Sequence, residues 1–132
     1  MRLITSLLIF FATGVHAAQP LESCVETAKN SPELSACYGQ ESERQDKQLK
    51  VAVEEDVRKW AYNREFENNG WSREQLAELR RNLRQSQIEW EKYRNTWCRY
   101  RSNTMNGSGS ATVFLQCMIE MAKQRLSELA SL

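Results

Sequence analysis

QIEWEKYRNTWCRY, residues 87–100, sets two tryptophans, two tyrosines, two arginines and a cysteine into fourteen positions. Read backward from here, Leu76, Leu79, Leu83 and Ser86 join Trp90, Tyr93, Trp97 and Tyr100 in alternating steps of three and four. That rhythm is the seam of a helix packed along one face. The aromatics are therefore expected on the core stripe of a long helix. Ser72-Arg73-Glu74-Gln75 has the form of a capping box that opens it, with Trp71 placed to staple onto Leu76.

Asn68-Asn69-Gly70 is a break, and an earlier helix is expected on its other side. Ser31-Pro32-Glu33 supplies a cap and a first-turn proline, predicting a helix over 32–67. Leu49, Val53, Val57 and Trp60 carry the same apolar spacing within it. Folded back about Gly70, the two helices form an antiparallel hairpin that sets Leu49 near Trp90, Val57 near Leu83 and Trp60 near Leu79. Asp46 and Arg94 lie equally far from the turn, which predicts a structural ion pair between the helices. Leu21 to Lys29 reads as a short helix of its own. After a polar connector, Ser102 to Gly109, Ser110 can cap a last helix over 111–130 bearing Val113, Phe114, Met118, Met121 and Leu126. The fold class is all-α: a long-helix hairpin with a short N-terminal helix and a C-terminal helix.

The compartment follows from the N-terminus. Arg2, the apolar run Leu3 to Val15, and the small residues ending at Ala17 read as a secretory signal peptide, 1–17. The run falls short of the roughly 20 apolar residues of a membrane span. Residues 18–132 are then a single exported domain, with no membrane attachment after cleavage and a periplasmic destination. Removing 1–17 takes Arg2 and His16, the one histidine, leaving 17 basic against 17 acidic side chains. Histidine-based nucleophile activation and histidine metal ligation are excluded from such a chain. No enzyme and no cofactor are expected.

Cys24, Cys37, Cys98 and Cys117 form an even set in an exported chain, the setting of disulfides. No CxxC spacing supports a metal site. Cys24 and Cys37 straddle the turn at Asn30 and Ser31, and Cys98 and Cys117 straddle the Ser102 to Gly109 connector. The pairing expected is therefore Cys24–Cys37 and Cys98–Cys117, two staples on a domain with a limited core.

Gln87, Trp90, Tyr93, Arg94 and Cys98, preceded by Cys37 and by Asp46-Lys47-Gln48-Leu49, and followed by a Gly/Ser loop, Cys117 and Arg125-Leu126, resemble the lysozyme inhibitor LprI-like N-terminal domain family. The resemblance covers nearly all of the mature chain, residues 18–132. One departure is Lys50, where the family usually carries asparagine. The resemblance implies a small exported helical domain that binds lysozyme and performs no chemistry. In it Asp46, Leu49, Gln87, Trp90, Tyr93 and Arg94 are motif positions with structural roles.

Other clusters read as surface. Rings interleaved with Arg94, Arg99 and Arg101 suggest single-stranded nucleic acid, but neutral charge and export oppose that, so no nucleic-acid partner is expected. Glu41-Ser42-Glu43, Glu54-Glu55-Asp56 and Arg80, Arg81 and Arg84 read as solvated faces. The connector is the expected contact surface: Arg99, Arg101, Ser102, Asn103, Asn106 and Ser108, tethered at its base by a disulfide. The function expected is occlusion of a cell-wall muramidase. The alternative is a periplasmic structural or envelope-assembly module whose helices dock a protein other than lysozyme.

Overall fold

The computed structural model describes residues 20–107 and 109–131, so the expected signal peptide lies outside the described residues. Five helices appear among them: α1 (Leu21–Thr27), α2 (Ser31–Lys59), α3 (Arg64–Asn68), α4 (Arg73–Asn103) and α5 (Ser110–Ala130). No strand occurs among the described residues, and no described helix is long and apolar enough to cross a membrane.

Local chemistry sets the helix ends. Asn30 rather than Ser31 caps α2: its Oδ1 accepts from the Glu33 amide at 2.9 Å, while Glu33 reaches back to the Lys29 amide at 2.8 Å. At α4 the capping box forms as read, with Ser72 Oγ accepting from the Gln75 amide at 3.2 Å and Gln75 Oε1 accepting from the Ser72 amide at 2.8 Å. Ser72→Ala is expected to cost about 1 kcal/mol in urea unfolding, since it leaves a first-turn amide without its acceptor. Ser110 does not cap α5; Gly109 stands at the cap position and no side chain bonds there.

The long helix expected over 32–67 ends instead at Lys59. Asn63 is the reason, because its Oδ1 accepts from the Phe66 amide at 3.1 Å and starts the separate short helix α3. Trp60, Phe66 and Trp71 then cluster with ring centroids 6.0–6.4 Å apart. Trp71 thus packs within this aromatic turn, at 37% exposure. The Trp60 carbonyl accepts from Arg80, and Gly70 takes the left-handed φ of 80° that completes the reversal.

α5 is the middle of the core. It runs parallel to α2, with the Ser35 and Thr112 hydroxyls 3.0 Å apart at one end and Leu129 packed among Leu49, Val53 and Val57 at the other. Leu83, Trp90 and Leu126 cover that cluster. α5 packs more extensively on α2 and on α4 than those two pack on each other. The expected hairpin is therefore opened into a three-helix bundle. Ala122 is fully buried in α5, and a side chain that small lets neighbouring helices approach closely.

Two disulfides staple the helices, Cys24–Cys37 tying α1 to α2 and Cys98–Cys117 tying α4 to α5, as expected. Two surface readings are corrected. Glu41, Ser42 and Asp56 are buried, because each carboxylate has a neighbour that satisfies it: Glu41 accepts from Arg44 at 2.6 and 2.7 Å and from Gln45 at 2.7 Å, and Asp56 pairs with Lys59. The hydrogen bonds from Arg44 hold the Glu41 carboxyl below its ordinary value of 4.5. A depressed folded-state value means that the stabilisation is present above the unfolded value and is lost as pH falls through the folded one. Glu41→Gln is accordingly expected to flatten the fall in stability on acidification below about pH 4.5, read as Tm against pH.

Candidate binding surface

The rotation of α4 decides what the molecule presents. Its buried residues are Leu76, Gln87, Arg94, Cys98 and Ser102, with Leu83 and Trp90 half-buried beside them. The line is fixed by polar and covalent links rather than by the rings. Arg94 Nη1 donates to Asp46 Oδ1 on α2 at 2.6 Å, confirming the expected pair, and Cys98 is bonded to Cys117 on α5. Gln87 Oε1 accepts from Arg125 Nε of α5 at 3.3 Å.

This overturns the inward reading of the aromatics. A helix turns about 100° per residue, so once Arg94 and Cys98 face the neighbouring helices, the residue before each is rotated out. Tyr93 is 58% exposed, Trp97 41% and Tyr100 62%. They form a ladder on the outer face of α4: Tyr93 and Trp97 lie 6.5 Å apart with planes 15° from parallel, and Trp97 and Tyr100 lie 5.7 Å apart. Trp90 alone of the four is drawn into the core, its ring taking the Arg94 guanidinium at 4.9 Å and that of Arg125 at 5.9 Å.

Concavities run along both sides of α4. One, of about 510 Å³, runs between α2 and α4 over Leu49, Val53, Gln87, Ile88 and Arg94, so the motif positions Asp46, Leu49, Gln87 and Arg94 share its wall. Arg84 bridges its rim to Glu54 at 3.2 Å and holds that exposed carboxyl below its ordinary value through the hydrogen bond. Another, of about 420 Å³, lies between α4 and α5, with Tyr93 and Trp97 on one side and Glu120, Gln124 and Glu128 on the other.

The expected contact residues sit at the α4–α5 end. Arg99, Asn103 and Asn106 are exposed. Arg101 is held by Glu120 at 3.2 Å. Ser102 is buried, its hydroxyl donating to the Arg99 carbonyl at 2.9 Å, so it supports the helix end and has no surface to offer a partner. Ser108 lies outside the described residues. Gly107 has a φ of 114°, a backbone state that suits glycine alone and sharpens the connector. Met105, 52% exposed, adds an apolar tip that the sequence reading left out. Among the described residues, no three metal-ligating side chains of the His, Cys, Asp or Glu type come together.

Compared with known proteins, residues 24–129 match the model of the family described as Lysozyme inhibitor LprI. No curated protein and no solved structure matches the chain.

Proposed function

Because this chain belongs to the lysozyme inhibitor LprI family, we propose that it is an exported binding protein which occludes the substrate cleft of a cell-wall muramidase. The contact is the α4–α5 connector, residues 103–109, together with Arg99. The observation that supports this reading is the anchoring of that segment: the Cys98–Cys117 bond ties both of its flanking helices just below it. A segment held at its base pays less ordering entropy on entering a cleft than a free one. Glycoside hydrolases work with carboxylates in their clefts, and the exposed Arg99 supplies a matching positive charge. Export to the periplasm is supported by the apolar leader and by a disulfide pair in every cysteine position.

The test is a titration of muramidase activity with the oxidised protein, using lysozymes of several classes and a short soluble substrate. Inhibition that saturates at one equivalent, weakened about tenfold or more by Arg99→Ala with Asn106→Ala, is the expected result. No inhibition of any class at micromolar protein would contradict it. Recovery of a partner other than a hydrolase from the periplasm, with lysozyme unbound, would instead favour the envelope-assembly alternative.

A further inference from the structure

The ring ladder and the α4–α5 cleft form a surface apart from the connector. We propose that this cleft is a binding site for a neutral oligosaccharide, whose pyranose units lie with their C–H faces on Trp97 and its neighbours.

Three observations point to this ligand class. First, the rings are offered in a row. Tyr93, Trp97 and Tyr100 follow one another by 6.5 and 5.7 Å along a single helix face, a step close to the length of one sugar unit, and each is at least two-fifths exposed; Tyr93 and Trp97 line the cleft and Tyr100 continues the row outside it. Trp90 differs because its ring is already occupied by guanidinium groups. Second, the wall opposite the rings is polar but balanced. Glu120 is paired with Arg101 at 3.2 Å and Glu128 with Arg125 at 3.0 Å, while Gln124 Nε2 reaches Glu128 at 3.5 Å. Pairing with Arg101 and Arg125 offsets both carboxylates, and the wall offers donors and acceptors that suit hydroxyl groups. Third, the cleft holds about 420 Å³, inside the range of roughly 300–1,000 Å³ typical of small-ligand sites. An aromatic side facing a side of donors and acceptors answers the two chemical surfaces of a pyranose, its C–H face and its hydroxyl edge.

The arrangement also has a structural cost that packing does not explain. Three large rings kept out of a small domain's core forgo burial that the bundle would otherwise gain. Their outward rotation is enforced by the Arg94 and Cys98 links, so the ladder is a fixed feature of the fold.

The experiment uses the mature oxidised protein with no lysozyme present, so its outcome is separate from that of the inhibition assay. Isothermal titration is run with chitotetraose and with cellotetraose, and co-sedimentation with purified peptidoglycan. Saturable binding of at least one oligosaccharide is expected, weakened about tenfold or more by Trp97→Ala and changed by no more than about threefold by Trp97→Phe, which keeps a ring. Ile88→Ala, on the other side of α4, leaves it unchanged. Circular dichroism on each variant verifies the helices. Failure of both oligosaccharides to bind at millimolar sugar would overturn the assignment. So would binding that is indifferent to Trp97→Ala. Loss of lysozyme capture on the same substitution, with the sugars unbound by the parent protein, would give the rings to a protein surface instead.

Discussion

Replacing Cys98 and Cys117 together by alanine is expected to lower the unfolding free energy by about 3 kcal/mol, read as a shift of the urea midpoint at neutral pH. The bond closes a loop of 19 residues, and its loss returns that closure entropy to the unfolded chain. Both cysteines are essentially fully buried, with Met118, Phe114 and Met121 packed around them. Removing the sulfurs therefore also leaves a void in this smaller cluster, which adds to the cost. The other bond should behave differently although its loop, 13 residues, is similar. α1 has no buried residue and no side-chain cap, and it packs on α2 alone. Without Cys24–Cys37 it can leave the bundle, so the restraint is lost from the native state as well as from the unfolded one. Substituting that pair is expected to shift the midpoint less while loosening residues 21–29 in hydrogen exchange.

Asp46→Ala is expected to cost about 2–3 kcal/mol, the largest effect of any single polar substitution in the bundle. Arg94 is 5% exposed and carries its charge between α2 and α4. Asp46 supplies its counter-charge, at 2.6 Å to Nη1 and 3.5 Å to Nη2, while Nε has no hydrogen-bond partner. Breaking a buried pair from one side costs about 3–5 kcal/mol when an uncompensated charge remains. The figure is smaller here because the Asp46 side chain is 45% exposed, so water can take over part of its role. Asp46→Asn keeps an acceptor and should lose less. The informative comparison is Asp46→Ala with Arg94→Met. An apolar side chain of similar length needs no counter-charge and can keep contact with Trp90, so the double variant should regain much of what Asp46→Ala loses. A double variant no more stable than Asp46→Ala would mean that the guanidinium contributes chiefly through its stacking on Trp90.

Most of the scaffold was legible from local signals. The capping box at Ser72, the break at Gly70, both cysteine pairings and the Asp46–Arg94 contact depend on short-range patterns or on reflection across a turn, and each is present. The end of α2 was missed because Asn63 works as a cap inside a stretch without glycine or proline, and nothing in apolar periodicity marks it. The central place of α5 was missed for another reason. Ile119, Ala122 and Leu129 complete its buried face, but spacing within one helix does not say how two others will share it.

The ring face was misread although the signal was present. Arg94 and Cys98, four residues apart, were each expected to reach a partner on another helix. A seam through Tyr93, Trp97 and Tyr100 points those rings some 100° away from that line. Both cannot face the core of a bundle this thin. A disulfide and a buried ion pair fix direction, whereas aromatic residues can meet water on one side, so the links decide the rotation. For the contact residues the sequence located an exposed end but not which side chains it offers: Ser102 turns inward to the Arg99 carbonyl and Arg101 is engaged by Glu120.

Hydroxyl-radical footprinting of the oxidised protein, resolved by mass spectrometry, tests that rotation directly, and the proposed sugar site depends on it. Rapid modification of Tyr93, Trp97 and Tyr100, with Trp90 several-fold slower, is the predicted pattern. Equal protection of all four rings, or modification of Trp90 ahead of Trp97, would place the aromatic row inside the bundle and contradict the account.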